Sequence, residues 1–152
     1  MKIIFRKLSD RRRIGWFVTC SAIIYMVVNG LFNSYAARSN IRWSADFNAG
    51  EARARNEAKP ILLSFTSSNC VWCRKMDTET FRNPELAGLS RKVVCVQVDC
   101  DNNPAVAAKY GVVQTPVTVL VSPDGKEKWR AVGYCGSSDL TYALRDLSGT
   151  KN

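Results

Sequence analysis

Cys70 and Cys73 stand three residues apart in the segment SSNCVWCRKM. On the first turn of a helix two sulfurs at this spacing can approach disulfide distance, and the first sits where unpaired backbone N–H groups point. Those donors and the positive helix end stabilise a thiolate. A free thiol titrates near about 8.5, whereas values of about 3.5 to 7.5 occur in such motifs. The pair therefore predicts thiol-disulfide exchange: Cys70, the nucleophile, attacks a substrate disulfide, and Cys73, the resolving thiol, attacks the mixed disulfide and releases the reduced product. No metal or organic cofactor is required.

Two plainer readings of the pair are a structural disulfide and half of a zinc site. Zinc would have to recruit Cys95 and Cys100, whose separation along a strand points the two side chains to opposite faces. An apolar strand before the pair, a helix after it and a later Thr115-Pro116 ahead of another strand form a context that neither predicts. The chain contains no histidine. That absence removes Ser/His/Asp and Cys/His hydrolases, imidazole-ligated zinc and imidazole proton shuttling.

The elements that must hold the pair lie in a chain of 152 residues with formal charge +9. Residues 1–36 carry six Lys or Arg against one Asp, and residues 37–152 carry 16 basic against 12 acidic side chains. In the second part the basic residues are scattered along the sequence, with no Lys/Arg stripe interleaved with aromatics, so nucleic acid is not an expected partner. The first part reads as a secretory signal: a basic start, an apolar run over 14–28, and a Ser-x-Ala end at Ser34, Tyr35 and Ala36. Cleavage near Ala36 and retention as a single-helix membrane anchor are both open, because the run lies at the lower edge of what spans a bilayer. Either way residues 1–37 form a signal peptide or anchor with its positive end in the cytoplasm, and residues 38–152 an exported domain. Arg11 to Arg13 fit a twin-arginine signal poorly. Cys20 lies too early in the apolar run to be lipidated and reads as a small residue of that helix.

In the exported part, Ser44 is expected to cap a helix over 44–58, stopped by Pro60. Strands are expected over 61–65, 93–100, 116–121 and 126–134, the last two joined by a Ser-Pro-Asp-Gly turn. Helices are expected over 70–81, 84–89 and 104–110, the last stopped by Gly111, and a final amphipathic helix follows Gly136 and Ser137. A parallel crossover in the first half and an antiparallel hairpin in the second predict an α/β domain: a mixed sheet flanked by helices.

With these elements in place, residues 59–145 resemble a thioredoxin-like domain. KPILLSFTSSNCVWC matches the first strand and active site, VVCVQVDCDNNPAVAAKYGV the second strand and helix, QTPVTVLVSPDGK the proline loop and hairpin, and VGYCGSSDL the approach to the final helix. The resemblance implies a cis Pro116 beside the cysteines, Thr115 offering backbone hydrogen bonds to an extended substrate, and Gly133 on the same rim. Val71 and Trp72, between the cysteines, join this substrate-facing set, and in the family this dipeptide affects the potential. The signal-like segment and the tryptophan of CVWC are similar to exported reductases such as DsbH and the C-terminal domain of DsbD. The chain also departs from thioredoxins. Asn69 replaces the tryptophan before the motif, and Ser64 replaces a buried aspartate six residues before the first cysteine, so deprotonation of Cys73 must use water, a lysine or another acid. Lys75 and Glu79 cannot be assigned that role from sequence.

Cys95 and Cys100 lie among valines and read as core residues. Cys135 is either an exposed accessory thiol near the substrate rim or a buried loop residue. Expected partners are disulfide-bearing protein substrates and a membrane or envelope electron donor, with the chain itself a monomer. A reductase is the first reading, and a disulfide-forming oxidase or isomerase the second. A thioredoxin-fold binding or chaperone module with merely structural cysteines is the reading of a different class.

Overall fold

The computed structural model describes Ser21, Ile23–Met26 and residues 41–147. Ser21 and Ile23–Met26 are helical. The signal or anchor expected over 1–37 otherwise lies outside the described residues, as does Cys20. No helix among the described residues is long and apolar enough to cross a membrane.

The described residues 41–147 belong to one compact unit. Its described elements are β1 (Trp43–Ser44), α1 (Phe47–Asn56), β2 (Ile61–Thr66), α2 (Val71–Thr78), α3 (Pro84–Leu89), a 3-10 turn (Ser90–Lys92), β3 (Val94–Asp99), α4 (Pro104–Lys109), β4 (Val117–Val121), β5 (Glu127–Val132) and α5 (Ser137–Leu147). The sheet order is β1-β3-β2-β4-β5. β1 and β2 run parallel to β3, whereas β2–β4 and β4–β5 are antiparallel. This is the mixed, helix-covered sheet of the thioredoxin-like fold.

The central strands ILLSFT, VCVQVD and VTVLV are largely buried and mostly apolar because both faces are covered. On one face Leu62, Cys95 and Leu120 pack with Met76 of α2, Leu86 of α3 and Leu140 and Leu144 of α5. On the other, Leu63, Phe65, Val96 and Val119 pack with Phe47 and Ala54 of α1. Gly50 makes that second layer close: a Cβ built there would lie 2.4 Å from Val96 Cγ2.

Several boundaries are shorter than the sequence expectation, and three of the differences have a clear local cause. Ser44 does not cap α1: it is a strand residue, paired with Val96 at the sheet edge. The cap is Asp46, whose Oδ1 accepts the Ala49 N–H at 3.0 Å. A two-residue strand is too short to leave an alternation in the sequence. Pro60 is likewise not the stop. The chain turns earlier, at Ala58 with φ of 48°, where the Lys59 N–H reaches back to the Ala54 carbonyl. Finally, α2 ends at Thr78 rather than 81, with the Phe81 N–H closing onto the Met76 carbonyl.

Candidate active site

β2 ends at Thr66, and the turn 67–70 delivers Cys70 to the N-cap of α2. Cys70 and Cys73 are disulfide-bonded, with their Cα atoms 5.2 Å apart. The Cys73 backbone N–H donates to Cys70 Sγ at 3.0 Å. The first sulfur thus already receives the helix-end donor that would stabilise its thiolate. Cys70 is partly exposed while Cys73 is buried. A more accessible first cysteine with a buried second one is an order compatible with two-step exchange.

The turn is fastened on two sides. Ser67 Oγ lies 2.8 Å from Thr115 Oγ1. Asp101 Oδ2 accepts both the backbone N–H and the hydroxyl of Ser68, at 2.9 and 2.7 Å. The same two hydrogen bonds hold the Asp101 carboxyl below the ordinary range. The Thr115–Pro116 peptide is cis. The Gly133 N–H donates to the Pro116 carbonyl at 2.8 Å, and Gly133 has φ of 88°, a conformation that ends β5 before Tyr134. Thr115, Pro116 and Gly133 are therefore brought together, and Thr115 is brought to the cysteine turn through Ser67.

Val71 and Trp72 stand outward, 64% and 56% exposed. Trp72 contacts Tyr134 with ring centroids 6.0 Å apart, and Lys75 Nζ sits 5.3 and 5.1 Å from the two ring centres. The Tyr134 hydroxyl donates to Glu79 Oε2 at 2.9 Å. Lys75 and Glu79 are thus committed to a rim that joins α2 to the segment after Gly133.

The acid that sequence reasoning missed is Asp77. It lies one turn after Cys73 on α2, and its side chain hydrogen-bonds Gln97. Burial raises its pKa above the usual carboxylate range, the Gln97 bond opposing. Gln97 pairs in register with Ser64, and Ser64 with Thr118. These three polar residues alternate onto the sheet face that packs against α2, because Leu62, Cys95 and Leu120 two positions away belong to that cluster. The only sequence signal for Asp77 was its place four residues after Cys73.

Of the other described cysteines, Cys95 and Cys135 are buried and Cys100 is half-buried. Cys95 belongs to one core layer and Cys100 packs against the other, the opposite-face arrangement that their spacing predicts. Burial pushes the Cys95 thiol up to about 12 and the Cys135 thiol up to about 11. At 3% exposure Cys135 is the buried loop residue rather than the exposed accessory thiol, because its backbone is drawn in by Thr80, whose Oγ1 donates to the Cys135 carbonyl. Among the described residues no three His, Cys, Asp or Glu side chains are grouped to hold a metal.

A family model described as Thioredox_DsbH, "Protein of unknown function, DUF255", matches residues 30–139. The disulfide bond reductase DsbH of Chlamydia pneumoniae is 30% identical over 128 residues, 76% of each chain. Mouse spermatogenesis-associated protein 20 is 41% identical over 59 residues, and the chain spans 8% of that protein's length. Among solved structures, the oxidised C-terminal domain of Neisseria meningitidis DsbD superposes with a TM-score of 0.60 at 21% identity, covering 70% of this chain and 99% of that one.

Proposed function

The chain belongs to the DsbH-like family of thioredoxin-fold proteins, and from that premise we propose that it is an extracytoplasmic thiol-disulfide oxidoreductase that reduces disulfides in protein substrates. The observation that carries the reading is Cys70, a partly exposed residue at the N-cap of α2 whose sulfur receives the Cys73 N–H, on a turn that Ser67 links to Thr115.

In the reduced enzyme the Cys70 thiolate attacks one sulfur of a substrate disulfide. The substrate S–S bond breaks, its other sulfur leaves and takes a proton, and a mixed disulfide forms on Cys70. Cys73 then loses its proton and attacks Cys70 Sγ, which releases the second substrate thiol and closes the Cys70–Cys73 bond. Two electrons have passed to the substrate, and a membrane or envelope donor returns them. Val71, Trp72, Thr115, Pro116 and Gly133 form the substrate-facing rim.

The proton on Cys73 needs an acceptor, since Ser64 offers no carboxylate. Asp77 fits this role. Residues four apart on a helix have Cβ atoms about 5–6 Å apart, and a carboxyl with a raised pKa is a better base than an ordinary one. Reduction in the cell envelope is favoured by the reductase named among the relatives and by the basic-then-apolar segment before residue 38.

Equilibrating the purified protein with glutathione or dithiothreitol buffers measures the Cys70/Cys73 potential. A value near about −250 mV or lower is expected, whereas one near about −120 mV would assign the chain to disulfide formation. A pair that does not exchange would overturn the catalytic reading. Alkaline phosphatase fused to the C-terminus, active only outside the cytoplasm, tests export.

A further inference from the structure

Far from Cys70 and Cys73, the fold gathers cations that are dispersed in the sequence. Arg42 precedes β1, Lys59 precedes β2, Arg91 precedes β3, and Arg53 lies on α1. All four line one cleft of about 930 Å³, together with Gly88 and Val93. Because β1, β2 and β3 run parallel, the cleft sits at their N-terminal ends, whereas Cys70 follows the C-terminal end of β2. Six strand residues at about 3.3 Å each put roughly 20 Å between the two ends.

The charge in the cleft is not balanced. Glu57 pairs with Arg53 at 3.7 Å and with Lys59 at 2.8 Å. Among the described residues no carboxylate pairs with Arg42 or Arg91. Lys59 chiefly, through its hydrogen bond, holds the Glu57 carboxyl below its ordinary range, so this acid stays ionised and its single charge is already shared. Four cations around one acid leave a surplus of three. Guanidinium groups present forked donors that match phosphate oxygens two at a time, and Arg supplies three of the four cations here. The volume falls within the usual range of ligand clefts and exceeds what one inorganic phosphate fills.

We propose that this cleft binds phosphate-bearing anions about the size of a phospholipid headgroup. Its place at the pole opposite Cys70 lets an anion occupy it while the reactive pair stays open to substrate. The inference does not depend on the direction of electron flow. Two sources share the chemistry: an acidic lipid headgroup and a soluble phosphoryl compound.

The test titrates the full chain in maltoside micelles, by calorimetry, with short-chain phosphatidylglycerol, short-chain phosphatidylcholine and glycerol phosphate. The wild type is compared with the double variant Arg42→Gln/Arg91→Gln and with Arg55→Gln, which removes a cation paired with Glu51 outside the cleft. We expect saturable binding that weakens at least tenfold in the double variant, is unchanged in Arg55→Gln, and falls steeply with salt. Preference for phosphatidylglycerol over glycerol phosphate identifies a lipid surface, and equal affinity identifies a soluble ligand. Absence of saturable binding to both anions overturns the proposal. Binding that survives in the double variant, or phosphatidylcholine binding as tightly as phosphatidylglycerol, also overturns it. Unchanged disulfide exchange in the double variant shows that it has folded.

Discussion

The hydroxyls of Ser67 and Thr115 lie 2.8 Å apart, joining the turn that carries Cys70 to the loop that carries Pro116 across 48 positions of sequence. The two halves of the candidate site are therefore one hydrogen-bonded unit. Ser67→Ala removes that link and should cost about 0.5–1.5 kcal/mol of stability. Exchange with a peptide disulfide should slow through KM, because Thr115 loses its fixed place against the cysteine turn. Thermal unfolding and steady-state exchange assays check the two effects separately.

Asp77 makes a prediction with opposed signs. Its raised pKa means the folded protein holds the proton more tightly than the unfolded chain. Its contribution to stability is therefore full below the unfolded value and is lost as pH rises through the folded one. Asp77→Asn removes that loss, so the variant should be the more stable protein at pH 7 and equal to wild type in acid. The same change should slow release of substrate from Cys70 and flatten the pH dependence of that step. Denaturant titrations at two pH values and trapping of the mixed disulfide read the two outcomes; a variant less stable at pH 7 and undiminished in rate would refute the assignment.

The buried thiols should be silent in the native protein. With pKa values pushed to about 12 and about 11, Cys95 and Cys135 are almost wholly protonated at neutral pH and should not react with iodoacetamide until the chain unfolds. Both values are raised, so both contribute stability that fades as pH climbs above the ordinary thiol range toward those values. Cys135→Ser should leave exchange rates unchanged, whereas Cys73→Ser should accumulate the mixed disulfide and Cys70→Ser should abolish exchange.

Gly50 should tolerate no side chain. A methyl group at that position meets Val96 Cγ2 at 2.4 Å, and both residues lie in the packed layer between α1 and β3. Gly50→Ala should destabilise by about 1–3 kcal/mol despite its better helix propensity, measured by urea titration.

Strands and the reactive pair were legible because their signals are local. ILLSFT is mostly apolar, interrupted inside only by Ser64, and CVWC announces itself by spacing. Asp46 was hidden by Ser44, an equally good cap two residues earlier, since only pairing to Val96 decides that Ser44 is extended. Asp77 was illegible for a different reason: its significance depends on Gln97, brought opposite by the crossover from β2 to β3. The charges of Arg42, Arg53, Lys59 and Arg91 looked scattered because three parallel strands begin at one end, and sequence distance says nothing of shared ends.

Trp43 and Ser44 tie the start of the domain to β3 by only two register pairs at the outer edge of the sheet. Tension applied from the N-terminal side would load buried Ile41 and then those pairs, ahead of the interior strands. Trp43 would be drawn from its edge-on seat against Phe81, at 4.9 Å, before strain reached β2, whose six residues pair with β3 and five of them also with β4. The short edge strand is in that sense a mechanical fuse. It would yield under a pull before the load reached Cys70 and Cys73, which follow the interior strand β2 at the start of α2.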